Sequence, residues 1–114
     1  MLFRKLICFS AFILGLILPC VVSISAEENQ YMITIKDHRF SPDVLTIPAN
    51  AKIQLFVVNQ DPTPEEFESY DFNREKVVPG NGAITVFIGP LKPGRYQYFG
   101  EFNKNTAQGV IVAE

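Results

Sequence analysis

The chain has 114 residues, of which 47% are hydrophobic and 19% charged, and its formal net charge is −2. This length suits one small domain, and the ten basic residues do not form the clusters that a nucleic-acid-binding surface requires. Both cysteines, Cys8 and Cys20, lie in the first 26 residues, so the rest of the chain has no thiolate nucleophile and no cysteine ligand for a metal.

The first 26 residues have the pattern of a secretory signal peptide. Arg4 and Lys5 precede an apolar run over residues 6–22, and residues 23–26 end the segment with mostly small side chains. The run is also close to the roughly 17–25 residues that span a bilayer, so an uncleaved N-terminal membrane anchor is the alternative.

We predict that cleavage after Ala26 removes this segment. Pro19 interrupts the far end of the apolar run, and acidic residues follow Ala26 at once. Lipid attachment at Cys20 is disfavoured because proline, and not a small residue, precedes it. We therefore expect residues 1–26 to be a signal peptide and residues 27–114 to form one periplasmic domain. That domain has eight basic and twelve acidic residues, a net charge of −4.

The dominant period after residue 26 is two, which is typical of β-strands. In residues 31–36, Ile33 and Ile35 share one face, and polar residues alternate with them. Runs of similar character, rich in β-branched and aromatic residues, occupy residues 44–47, 53–58, 83–88, 95–99 and 109–112. Turn-forming residues separate them at 41–43, 48–50, 79–82 and 92–94. The pattern predicts an all-β sandwich or barrel of about seven strands, with irregular stretches at 59–72 and 99–109.

The order of these pieces resembles the cupredoxins, which are Greek-key β-sandwiches. The resemblance is carried by residues 33–43, 45–53, 57–61 and 94–112. It implies a blue-copper site made of a His after the Asn-x-Asp turn and a Cys, His and Met group in the last loop. Here the first of these positions falls near Glu65 and Glu66, and Phe99 lies about where the cysteine would be. The last loop contains no His and no Met, so composition excludes type 1 copper.

Part of the chain is similar to a narrower group, the EfeO-type cupredoxin domains that accompany bacterial iron uptake. The matching segments are residues 66–78, 89–94 and 99–109. The resemblance implies a periplasmic accessory protein of iron or copper uptake that handles an iron or copper ion. Its partners would be iron-uptake components such as a membrane permease or a periplasmic iron-binding protein. That family has acidic residues and sometimes a His in the last loop, where this chain has Asn103.

Carboxylates are the candidate metal ligands. Glu66 and Glu68 are two residues apart, so an extended segment presents both on the same face. In a cupredoxin topology Glu101 lies at the same end of the sandwich. Three carboxylates with an imidazole or a water could hold a cation such as iron, manganese or calcium. We predict a metal site of Glu66, Glu68, Glu101 and His38, with Asp71 as a further candidate.

One other interpretation remains open. Alternate glutamates are also typical of the solvated face of a strand, and Arg74 and Lys76 are near enough in sequence to pair with them. In that case the protein is a metal-free interaction module that docks on a membrane or periplasmic partner. An enzyme is not expected, because Ser69 has no base nearby in sequence and His38 belongs to no evident triad.

Overall fold

The computed structural model describes residues 29–114, so the predicted signal peptide and both cysteines lie outside the described residues. Within that range no helix is long and apolar enough to cross a membrane. Residues 29–114 form nine strands and one short 3-10 helix, Glu101–Asn103. The strands are β1 (Gln30–Lys36), β2 (Arg39–Ser41), β3 (Val44–Ile47), β4 (Ile53–Asn59), β5 (Glu65–Ser69), β6 (Arg74–Val78), β7 (Ala83–Ile88), β8 (Gly94–Gly100) and β9 (Gln108–Ala113).

The strands form two sheets packed face to face. One sheet has five strands in the order β3-β9-β8-β5-β6, and the other has four in the order β2-β1-β4-β7. β1 pairs with β4 and β3 pairs with β9 in parallel, and the other pairs are antiparallel. The chain passes repeatedly from one sheet to the other. The predicted all-β, cupredoxin-like sandwich is confirmed, with nine strands in place of about seven.

Alternation of apolar residues builds the core, as the sequence predicts. Along β4, Ile53, Leu55 and Val57 are buried between the sheets, and the residues between them are only half-buried. Aromatic side chains fill the centre: the ring of Tyr98 lies 5.2 Å from that of Phe67, centroid to centroid. Burial of these apolar side chains is the main force that holds the two sheets together.

The stretch 59–72, predicted to be irregular, contains β5, which pairs with β6 and with the end of β8. β5 alternates like any half-buried strand, but two of its three inward residues, Glu65 and Ser69, are polar. Their inward placement is made possible by hydrogen bonds to the backbone. This strand carries Glu66 and Glu68 on its outer face.

Candidate metal-binding surface

Three glutamates converge on the outer face of the β5–β6 hairpin. Glu68 on β5 is directly opposite Glu75 on β6, and Glu66 is the next outward residue along β5. Residues opposite each other in an antiparallel pair have neighbouring side chains. One carboxylate oxygen from each of Glu66, Glu68 and Glu75 lies within 4.8 Å of the others. We call these three residues the carboxylate cluster. Glu66 and Glu68 share a face as predicted.

The negative charges of the cluster perturb its acid–base equilibria. The pKa of Glu66 is raised, first because its protonated form hydrogen-bonds to Glu75, then by partial desolvation and by the charges of Glu75, Glu68 and Glu101. The pKa of Glu68 is also raised, first by desolvation and then by the charges of Glu75 and Glu101 and a hydrogen bond with Glu101. Like charges held together disfavour ionisation, and a bound cation would relieve this repulsion.

Glu101 lies beside the cluster and is partly neutralised. It opens the 3-10 helix after β8, and its Oε1 is 3.5 Å from Nζ of Lys104. Lys104 also lies over the ring of Phe99, 5.6 Å from its centroid. The charge of Glu101 acts on Glu68, but Glu101 lies outside the group of three and already has a cationic partner in Lys104.

The cations expected to neutralise the glutamates point elsewhere. Arg74 donates from Nε to the carbonyl oxygen of Phe87 at 2.8 Å, and Lys76 donates from Nζ to that of Thr85 at 3.3 Å. The ion pairs within residues 29–114 are Glu101 with Lys104 and, when the imidazole is protonated, His38 with Asp61. The carboxylate cluster is thus not paired with Arg74 or Lys76.

His38 lies near Glu101 but outside the cluster. It occupies the β1–β2 turn, where Asp37 and His38 have φ of 53° and 59°. Both backbone N–H groups donate to the buried carboxylate of Asp61, at 2.8 and 2.9 Å, and His38 Nδ1 is 3.6 Å from Asp61 Oδ2. The imidazole borders an open cleft of about 450 Å³ that Glu101 and Asn103 also line.

The carboxylates of Asp61 and Asp71, which both come from loops, hydrogen-bond to the backbone. The pKa of Asp61 is lowered, mainly by the N–H of His38; partial burial opposes the shift, and the N–H of Asp37 adds to it. Asp71 accepts a hydrogen bond from the backbone N–H of Gln97 at 2.8 Å. Both carboxylates therefore support the backbone, and Asp71 is not part of the cluster.

The donors of a type 1 copper site are missing from residues 29–114. Such a site needs two imidazoles and a thiolate, and this part of the chain has one histidine and no cysteine. Phe99 faces outward against Tyr70, whereas the next residue, Gly100, faces the interior. Beside Gly100 lies the buried carboxylate of Glu65. The residues present do not fit type 1 copper.

Sequence reasoning missed Glu75 as a member of the site. The signal was present: Glu75 follows Glu68 by seven residues, across a tight turn in which Asn73 adopts a φ of 57°. Asparagine tolerates this left-handed conformation and is common in hairpin turns. Because β5 was not predicted as a strand, the β5–β6 hairpin that places Glu75 opposite Glu68 could not be predicted.

Comparison with known proteins gives a family and a fold. The sequence matches a family model, described as "Cupredoxin-like domain", over residues 6–113. Among solved structures, amicyanin from Paracoccus versutus is 16% identical with a TM-score of 0.61, over 75% of this chain and 82% of that chain. Auracyanin A from Chloroflexus aurantiacus, a "blue" copper protein, is 12% identical with a TM-score of 0.63, over 75% and 98%. At these identities the likeness concerns the fold alone.

One relative is much closer in sequence. An uncharacterized protein of Rickettsia prowazekii is 50% identical over 80 residues, which cover 70% of this chain and 64% of that protein. The chain therefore spans less than two thirds of the length of the relative it matches.

Proposed function

Since this chain belongs to the cupredoxin-like domain family, and its described residues do not fit type 1 copper, we propose that it binds a metal ion through surface carboxylates. It would act as a periplasmic accessory protein of bacterial iron or copper uptake, with the ion as its cargo. Its partners would be uptake components such as a membrane permease or a periplasmic iron-binding protein. The observation that carries this proposal is the convergence of Glu66, Glu68 and Glu75.

The donor set favours a hard cation. Carboxylate oxygens suit hard ions, and Fe(III) prefers an oxygen-rich set to a thiolate one. Glu101 could supply a fourth oxygen if it exchanged Lys104 for the metal. Because the pKa values of Glu66 and Glu68 are raised, metal binding would displace protons and would strengthen as pH rises.

A non-catalytic role fits the environment of the two groups considered for catalysis. The hydroxyl of Ser69 is buried, donates to the carbonyl oxygen of Gln97 at 2.6 Å and accepts from the N–H of Phe72. The imidazole of His38 is close to Asp61. Of the residues that line the cleft with His38, Thr106 has a hydroxyl and none has a thiol. Neither arrangement provides a nucleophile paired with a base.

The second candidate is a metal-free interaction module. Two aromatic side chains near the cluster are largely exposed, Tyr70 at 72% and Phe102 at 52%. Exposed aromatic residues beside charged ones are common at sites of protein association. In this alternative the glutamates would attract a basic partner instead of a metal ion.

Titration calorimetry distinguishes the two candidates. A protein of residues 27–114 contains both sheets and the buried core of the described residues. We would titrate it with Fe(II), Fe(III), Cu(II) and Mn(II). The proposal expects one ion per chain. Glu75→Gln should weaken binding by about tenfold or more, because even the mutation of a residue that only supports a metal ligand lowers the affinity by that much.

The matched control is Glu114→Gln, which removes the same charge from an exposed residue outside the cluster and should leave binding unchanged. Equal losses in both variants would indicate non-specific attraction by net charge. No binding of any of the four ions by the unmodified protein would rule out the metal function and leave the interaction module.

A further inference from the structure

A buried carboxylate lies at the start of β5, next to the loop that follows β8. Glu65, the first residue of β5, is only 1% exposed. Its Oε1 accepts from the N–H groups of Phe102 at 2.8 Å and Glu66 at 3.0 Å, and its Oε2 accepts from Nδ2 of Asn103 at 2.8 Å. A buried carboxylate is costly unless such donors surround it.

We infer that Glu65 is a positioning residue that fastens the β8–β9 loop, residues 101–107, to β5, so that this loop is held in place without a metal ion. The loop carries Glu101 and most of the residues that line the cleft beside His38. Two of its residues, Phe102 and Asn103, are bound to Glu65 directly. The carboxylate therefore sets where Glu101 lies relative to the outer face of β5.

The space around Gly100 supports this inference. A Cβ atom on Gly100 would lie 2.5 Å from Cδ and 2.6 Å from Oε2 of Glu65, and 2.7 Å from Cβ of Ala107. These distances are too short for real contacts, so Glu65 fills the volume that a side chain at position 100 would need. A metal-binding side chain at position 100 would point inward and collide with the carboxylate of Glu65.

The loop also has bonds of its own, which Glu65 complements. The N–H of Gly100 donates to the carbonyl oxygen of Ala107 at 2.9 Å, and the N–H of Ala107 donates to that of Asn103 at 2.8 Å. These bonds shape the loop as a closed turn. The bonds to Glu65 join that turn to a strand 37 and 38 residues earlier in the chain.

The first test is amide hydrogen exchange by NMR on residues 27–114 in EDTA, which removes any metal. In the unmodified protein we expect the Phe102 amide to be protected. In Glu65→Ala its protection should fall by about tenfold or more, as expected for local opening, while the amides of β4 keep theirs. Glu65→Gln keeps the volume and one acceptor oxygen, so it should retain most of the Phe102 protection.

A second variant tests the inference even if the Glu65→Ala protein does not fold. Asn103→Ala deletes the side-chain donor to Oε2, and it should lower protection within residues 101–107 only. A general loss of stability would instead lower protection in β4 as well. Unchanged protection of the loop in Asn103→Ala would contradict the inference.

The coupling between positions 65 and 100 gives an independent measurement. Gly100→Ala should lower the urea midpoint strongly in the unmodified protein and less in the Glu65→Ala background, because two of the three short contacts disappear and only that with Ala107 remains. Equal midpoint shifts in both backgrounds would contradict the inference. So would a Phe102 amide that is unprotected in EDTA and becomes protected when a metal ion is added.

Discussion

The carboxylate of Asp61 stabilises the turn that presents His38, and its removal should be costly. Asp61 is 7% exposed and accepts from the N–H groups of Asp37 and His38 at 2.8 and 2.9 Å. Both donors belong to residues with positive φ, an uncommon conformation that needs such support. Asp61→Ala leaves both N–H groups without this acceptor.

The magnitude follows from these two bonds. A hydrogen bond to a charged group contributes about 1.5–3 kcal/mol, so the pair is worth about 3–6 kcal/mol. Water can reach the turn, where Asp37 is exposed and His38 half-buried, so we expect a value near the lower end, about 3 kcal/mol. For a domain whose free energy of unfolding is typically about 5–15 kcal/mol, this is a large loss.

The effect should depend on pH, because the pKa of Asp61 is lowered from its ordinary value of 3.8. Folding then favours the ionised carboxylate, whose contribution to stability is fully present above pH 3.8. It is lost as pH falls through the lower pKa of the folded state. Asp61→Asn cannot ionise, so the stability gap between it and the unmodified protein should be full at pH 7 and should narrow below pH 3.8.

Urea unfolding followed by circular dichroism measures these free energies at each pH. Asp43→Asn is the control, since it removes an exposed carboxylate and should change stability by less than about 0.5 kcal/mol. A loss below about 1 kcal/mol in Asp61→Ala at pH 7 would refute the reasoning. A gap for Asp61→Asn that stays constant down to acid pH would refute it as well.

Two further substitutions test the core and the carboxylate cluster. Phe67→Ala should lower the free energy of unfolding by about 3–5 kcal/mol, because the ring is fully buried against Tyr98; a loss below about 1.5 kcal/mol in urea unfolding would contradict this packing. Glu75→Gln should bring the pKa of Glu66 down towards its ordinary value of 4.5, seen by NMR titration of the carboxyl carbon. A raised pKa means that ionised Glu66 lowers the free energy of unfolding. Glu75→Gln should therefore be more stable than the unmodified protein at pH 7, and this gain in stability should vanish below pH 4.5. An unchanged pKa of Glu66 would show that the two carboxylates do not interact.

Local pattern was enough to predict most of the fold. The alternation that places Ile33 and Ile35 on one face, and the turn residues between the runs, depend only on neighbours in sequence, and the structure has strands at each predicted run. The same period of two correctly placed Glu66 and Glu68 on a common face. The sequence also argued against type 1 copper, because folding cannot supply a thiolate to residues 29–114, which contain no cysteine.

Only the tertiary structure decided which distant residues meet. Glu75 joins the cluster through the register of a hairpin, and Glu65 meets the last loop because β5 pairs with β8, the strand that precedes this loop. The strand β5 was hidden because its inward positions hold polar residues whose partners lie far along the chain. Phe99 and Gly100 show most clearly what the sequence pattern could not determine. A shift of one residue along a strand moves a side chain to the opposite face of the sheet. Only the pairing of β8 with its neighbours therefore determines that Gly100 points inward.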